Sequence, residues 1–182
     1  MIGLAARNAQ RLGLHKDPSW FNYSQWVSEW RRRLWNQLIL LDEKAIAQQG
    51  ATSMLGFAWD TRLPGNSNDE AWNTSPSAKP SDAPKPAVAF SQMTFVLLKR
   101  EVLAVLCPLR KNLRTRSYEE QMRHIAVGQK KARALFAVVT DDMLPLATFA
   151  NNIMEIEFGF LQLMAGEALI RFGESLHTFK HE

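Results

Sequence analysis

Apolar positions recur at turn spacing along most of this chain, and the period is that of a helix. Leu4, Ala5, Ala9 and Leu12 define a helix over about residues 2–12, and Gly13 follows where a left-handed stop is expected. In LHKDPSWF, Pro18 keeps Asp17 out of helical geometry, so the chain turns. A longer helix spans roughly 24–49, with Ser24 as its N-cap and Gly50 as its stop. Trp30, Leu34, Leu38, Leu41 and Ala45 form one apolar stripe on it, and Trp35, Ile39 and Ile46 form an adjoining one. Together they make a face too broad for a surface helix, so most of this helix is expected to be buried.

The helical period stops over residues 51–90. GFAWDTRLPGNSNDEAW is dense in turn formers, and NTSPSAKPSDAPKPA sets prolines among Ser, Ala and Lys, a composition that cannot build a core. A long internal loop is expected, mobile over about 72–88. Helix returns near Ser91, where Phe95, Leu98, Val102 and Val105 share a face and Pro108 is expected to kink or end it. Residues 118–137 read as an amphipathic helix with Met122, Ile125, Ala132, Leu135 and Phe136 inward and basic residues outward. Glu119 and Glu120 suit its first turn. A last long helix follows, capped by Asp141 or Asp142, with Pro145 near its start and Met143, Met154 and Met164 as core filler. With no alternating strand pattern, the fold class is all-α, an irregular helical bundle over a single domain of 1–182.

Composition changes little in this picture. The 182 residues are 46% hydrophobic and 22% charged, enough for a packed core. Cys107 is the single cysteine, which excludes a disulfide framework and a self-contained cysteine-rich zinc site in these residues. Lys99, Arg100, Glu155 and Glu157 interrupt the longest apolar runs, so no membrane span is expected. The net charge of +4 comes from basic residues between Lys99 and Arg133, read as a solvated helix face.

Candidate chemistry is sparse. His177 and His181 stand at metal-binding spacing, but Thr178, Phe179 and Lys180 between them supply no general base. His15 lies in a turn as a local hydrogen-bond donor. Asp42 and Glu43 point about 100° apart and cannot face one site. Asp42 falls on the apolar face and needs a partner, an arginine or a helix-end amide. Gly65 and Gly128 are isolated and form no phosphate loop, and Cys107 beside Pro108 reads as inert. Arg31, Arg32 and Arg33 could form a nucleic-acid patch, but Leu34 and Trp35 follow at once and belong inside. The arginines are therefore read as the wet shoulder of an interior helix, with Glu29 able to pair with Arg32 or Arg33.

GLAARNAQRLGLHKDP, EWRRRLWNQLILLDEKAIAQQG, DTRLPGNSND and FSQMTFVLLKRE, in that order, resemble the fungal-specific transcription factor domain. That domain is the helical middle region of fungal zinc-cluster transcription factors, and the likeness covers about residues 2–101. The motif residues are Leu12, Gly13, His15, Asp17, Pro18, Arg31, Arg32, Arg33, Leu34, Trp35, Leu41, Asp42, Asp60, Leu63, Pro64, Asn66 and Asp69. The resemblance implies a nuclear regulator of RNA polymerase II genes, not an enzyme, acting through a small-molecule effector or protein partners. In that family a separate six-cysteine module holds two zinc ions and contacts DNA. Its zinc and its DNA contact are therefore not expected in this chain. Members have helices before the point matching Met1, so the chain reads as a part of a longer regulator, with apolar faces over 2–49 left open to self-association. Where members often carry a second tryptophan after Trp35, Asn36 stands here. A stand-alone helical scaffold without a transcriptional role is the alternative.

Overall fold

The computed structural model describes residues 2–49, 53–55, 58–75, 83–85, 90–137 and 145–178. The expected all-α class is borne out: α1 (Ile2–Arg11), α2 (Gln25–Gln49), α3 (Thr94–Asn112), α4 (Tyr118–Ala137) and α5 (Pro145–Thr178) carry the fold. Single 3-10 turns stand at Pro18–Trp20 and Asp69–Ala71. The described residues between α2 and α3 are otherwise irregular, as the turn-forming composition predicts. Much of the Pro/Ser-rich stretch expected to be mobile, together with Gly50, Asp141, Asp142 and Met143, lies outside the described residues. So do the side chains of Leu135, Phe136, His177 and His181.

The chain forms two compact units, residues 1–87 with 91–97, and residues 88–90 with 98–182. In the first, α1 ends at Gly13, whose φ of 68° is the left-handed stop expected from sequence. Ser24 starts α2 by receiving the Ser28 N–H on its carbonyl, with the Val27 N–H within 3.5 Å of its hydroxyl. Ala6 and Ala9 on α1, Leu14, and Trp35 and Ile39 on α2 are buried, with Trp35 at 0% exposure. The rings of His15 and Trp59 stand 6.1 and 6.4 Å from that of Trp35.

The expected burial of α2 needs correction. Trp30, Leu34 and Leu41 are 44%, 46% and 42% exposed, so the stripe that contains them faces outward. The buried side of α2 carries Gln25, Glu29, Asn36 and Asp42 alongside Trp35 and Ile39. Polar residues turned inward here because the chain packed against them offers backbone N–H and C=O groups that need partners.

The second unit is an apolar assembly. Leu98, Val102, Val105 and Leu109 form the buried stripe of α3, extending the sequence reading by one turn to Leu109. Pro108 does not end α3, which runs on to Asn112. The proline lies close to the C-terminal end, where little helix remains to be lost, and Asn112 Nδ2 donates to its carbonyl at 2.8 Å. Ser117 and Glu120 close a reciprocal capping box at the start of α4. Ala150, Met154, Phe158, Leu161, Ala165 and Ala168 line the buried stripe of α5. Arg133 and Gln129 of α4 clasp Glu155 of α5 at 3.0 Å.

Gly128 has a role that isolation in the sequence did not reveal. A Cβ there would collide with Val105 Cγ2 and stand 3.6 Å from Phe158, so α4 crosses its neighbours at a point with no room for a side chain. Gly128→Ala is expected to cost about 1–3 kcal/mol by overpacking. Val105→Ala in the same chain removes the clashing methyl, so the double variant should lose less than the two single losses combined. Urea denaturation of the four proteins measures this. Trp35→Ala is expected to destabilise by about 3–5 kcal/mol in the same assay, whereas Trp30→Ala, on the open face, should cost under about 1 kcal/mol.

Candidate functional site

The first unit is organised around carboxylates that the helix and the loops share. Asp17 precedes Pro18, which fixes it in extended geometry, and its side chain caps the 3-10 turn by accepting from the Ser19 N–H at 3.0 Å. Arg32 of α2 donates to the same carboxylate from both Nε (3.1 Å) and Nη2 (3.0 Å), a bidentate fork. The Arg62 N–H adds a third segment of chain at 2.9 Å. Burial opposes the charge on Asp17, but the Arg32 fork and the N–H groups of Arg62 and Ser19 outweigh it. They hold the carboxyl well below the usual carboxylate range.

Asp60 extends the knot. It accepts from the Asp17 N–H and from Trp20 Nε1, both at 2.9 Å, while its own N–H donates to the His15 carbonyl. The Asp17 N–H lowers the Asp60 carboxyl from its ordinary value against some opposition from burial, helped by Trp20 and Lys16. Next to it, Thr61 Oγ1 donates to the Leu14 carbonyl at 2.7 Å. Asn36, fully buried, donates through Nδ2 to the carbonyls of Arg32 and Arg62.

The three consecutive arginines have three different acceptors. Arg31 Nη2 reaches the Leu12 carbonyl at 2.7 Å, past the end of α1, and its guanidinium lies 4.7 Å from the centre of the Tyr23 ring. Arg32 takes Asp17. Arg33 pairs with Glu29 at 2.9 Å, with Asp69, and with the Ser67 carbonyl. Burial works against the Arg33 charge, but Asp69 and Glu29 together raise its proton affinity. Glu29, itself buried, also accepts from the Gly65 N–H at 3.1 Å. The reading of these arginines as a wet shoulder is therefore corrected: they are half-buried clasps that tie α2 to loops on both sides. The choice left open for Glu29 falls to Arg33.

The remaining motif residues sort by what they hold. Asn66 Oδ1 accepts from the hydroxyls of Ser91 (2.6 Å) and Thr94 (3.0 Å), which fastens the loop to the start of α3. Pro64 is buried, and Leu63 and Leu12 are exposed. Asp42 is buried as expected, but its partners are the Ser53 hydroxyl at 2.7 Å and the Met54 N–H at 3.0 Å, a loop rather than an arginine or a helix end. His15 is set by ring packing on Trp35, and its Nδ1 has no hydrogen-bond partner, contrary to the donor role expected for it.

What sequence reasoning missed is the buried polar side of α2, above all Asn36, Glu29 and Gln25. The signal was available in their spacing of four and seven residues, which puts them on one face. This arrangement anchors loops. Among the described residues no group of three or more His, Cys, Asp or Glu stands where it could hold a metal ion, and no helix is long and apolar enough to cross a membrane.

The clasp is built from HKDP, EWRRRLW and DTRLPGN. The model of the fungal specific transcription factor domain matches residues 1–132, and the chain belongs to that family. The pyriculol/pyriculariol biosynthesis cluster transcription factor 1 of Pyricularia oryzae is 33% identical over 101 residues, 55% of this chain and 13% of that protein. The Zn(2)-C6 fungal-type transcription factor pigI of Monascus ruber is 30% identical over 128 residues, 68% of this chain and 16% of the relative. The aurofusarin cluster transcription factor aurR2 of Gibberella zeae is 34% identical over 104 residues, 56% of this chain and 15% of that protein. The chain thus spans about a seventh of the length of these curated relatives. No solved structure matches it.

Because the folded state holds the Asp17 proton affinity down, the pair contributes stability above the unfolded carboxylate value of about 3.9, and that contribution drains away as pH falls toward the depressed folded value. Asp60 acts with the same sign. Asp17→Asn is expected to cost about 2–4 kcal/mol at neutral pH and to flatten the acid limb of the stability curve. Urea unfolding between about pH 3 and 7 tests both. An unchanged acid limb would show that the pair does not govern it.

Proposed function

We propose that this chain is a regulatory helical region of a fungal RNA polymerase II transcription factor, one that does not itself contact DNA. It controls gene expression in the nucleus through a small-molecule effector or protein partners, and it catalyses no reaction. DNA is read by a separate six-cysteine module holding two zinc ions, to which this region is coupled. The single observation that carries the reading is the engagement of Arg31, Arg32 and Arg33 with Leu12, Asp17 and Glu29 in a chain of this family. Cations spent on buried carboxylates and on a helix-end carbonyl are not presented along a groove-facing surface, which is how a DNA reader displays them.

Two measurements test this. In gel-shift titrations at about 150 mM salt, residues 1–182 should show no sequence-selective retention of duplex DNA; selective, salt-resistant binding would refute the non-contacting role. Fused to an unrelated DNA-binding module in a fungal reporter strain, the chain should change output from that module's operator. Arg32→Ala should abolish the change, because it opens the clasp. A fusion indistinguishable from the bare module would remove the regulatory reading.

A further inference from the structure

We propose that Ser117 is a phosphorylation site for a basophilic serine kinase, one that reads arginine ahead of its acceptor. Among all the serines and threonines of the chain, Ser117 alone has an arginine three residues before it, Arg114. Arg116 stands directly before it and Tyr118 directly after. RTRSY therefore sets cations on one side of the hydroxyl and an aromatic ring on the other. Kinases separate their substrates by such charge patterns, with acidic side chains in the substrate groove pairing with the guanidinium groups. Arg110 and Lys111, at the end of α3, carry the positive field further back along the chain.

The fold presents this stretch to solvent. α3 ends at Asn112, α4 begins at Tyr118, and residues 114–120 are all exposed. Ser67 and Ser91, by contrast, are 2% and 1% exposed. The bonds that shape the turn join near neighbours. The Thr115 and Arg116 N–H groups donate to the Asn112 carbonyl, and Gln121 Nε2 donates to the carbonyls of Leu113 and Arg116. The Ser117 hydroxyl accepts the Glu120 N–H at 3.2 Å, a bond at the fraying end of a helix. A segment held in this way can be drawn into a groove while α3 and α4 keep their buried stripes.

In the transfer, Ser117 Oγ attacks the γ-phosphorus of a nucleoside triphosphate held by the kinase. The new O–P bond forms as the bond from that phosphorus to the β–γ bridging oxygen breaks. The nucleoside diphosphate leaves, and the hydroxyl proton passes to the kinase's catalytic carboxylate and on to solvent. The product changes the turn in a defined way. Four cations and two acids over residues 110–120 leave a balance of +2, which a phosphate of roughly two negative charges cancels. The Glu120 carboxylate, which accepts from the Ser117 N–H at 3.0 Å, then meets a like charge, so the capping box opens from its Glu120 side.

Folded residues 1–182, incubated with the catalytic subunit of cAMP-dependent protein kinase and magnesium ATP, should take up one phosphate, placed on Ser117 by tandem mass spectrometry. Ser117→Ala should abolish the uptake, and Ser117→Thr, which keeps a hydroxyl at the cap, should retain it. Arg114→Ala should lower kcat/KM by about tenfold or more, with helical circular dichroism unchanged. An acid-directed casein kinase should leave the chain unlabelled, although Glu120 stands three residues after the acceptor. No uptake by the folded chain, or phosphate on Thr115 in place of Ser117, overturns the site. Equal labelling of Arg114→Ala, or stronger labelling by the acid-directed enzyme, overturns the kinase class. Because the result is read as phosphate on one residue, it stands or falls separately from the regulatory role.

Discussion

The first unit depends on one carboxylate, Asp17, held charged where water hardly reaches it. A buried acid without partners would cost several kcal/mol or take up a proton. Here the cost is offset by directed donors: the bidentate fork of Arg32 and the N–H groups of Ser19 and Arg62. Those donors come from α2, from the turn after α1 and from the loop beyond α2. The carboxylate therefore determines which three pieces of backbone meet, and at what angle. Glu29 repeats the device one turn earlier, joining Arg33 and Gly65, and Asp42 repeats it further along with Ser53 and Met54.

This explains why an irregular segment can lie against a long helix. Loop backbone that approaches a core brings polar groups that must be satisfied, and a wholly apolar helix could not satisfy them. A helix with Gln25, Glu29, Asn36 and Asp42 on its inner face can. Buried ionic pairs add less stability than their geometry suggests, because desolvation consumes most of the attraction. Their contribution is to discriminate against other packings: shifting the loop by one residue would strand a charge rather than merely loosen a contact. On this view the Arg-Arg-Arg run is a register device, and the three side chains are not interchangeable.

How much of this was legible follows from the kind of force involved. Periodicity gives the helices and most of their limits, because caps such as Ser24, Gly13 and the Ser117–Glu120 box act locally. It gives Trp35 and Ile39 as core. It misassigns Trp30, Leu34 and Leu41, because the rule that apolar stripes face inward fails where a helix has two sides with different occupations. Pairings across the loops, such as Asp17 with Arg32 or Asp42 with Ser53, have no local signature. They are separated by irregular chain, and any acid could have met any base. That Pro108 does not end its helix has a related reason: a proline near a helix end costs little, and its position relative to that end is set by packing. Gly128 was unreadable, because the crowding that requires it lies on a different helix.

The two units thus achieve order by different means, and this bears on regulation. The second unit is held mainly by apolar contact, which is strong but tolerant of sliding, and α5 carries apolar residues around most of its circumference. The first is held by charge-assisted bonds that are either made or broken. A ligand or partner that competed for Arg32 or Arg33 would release a whole segment of loop at once, whereas one that pressed on the apolar unit would be absorbed by small shifts. An acidic group is the natural competitor for a guanidinium fork. The clasp is therefore the part of this chain where a small chemical change would be converted into a discrete structural one.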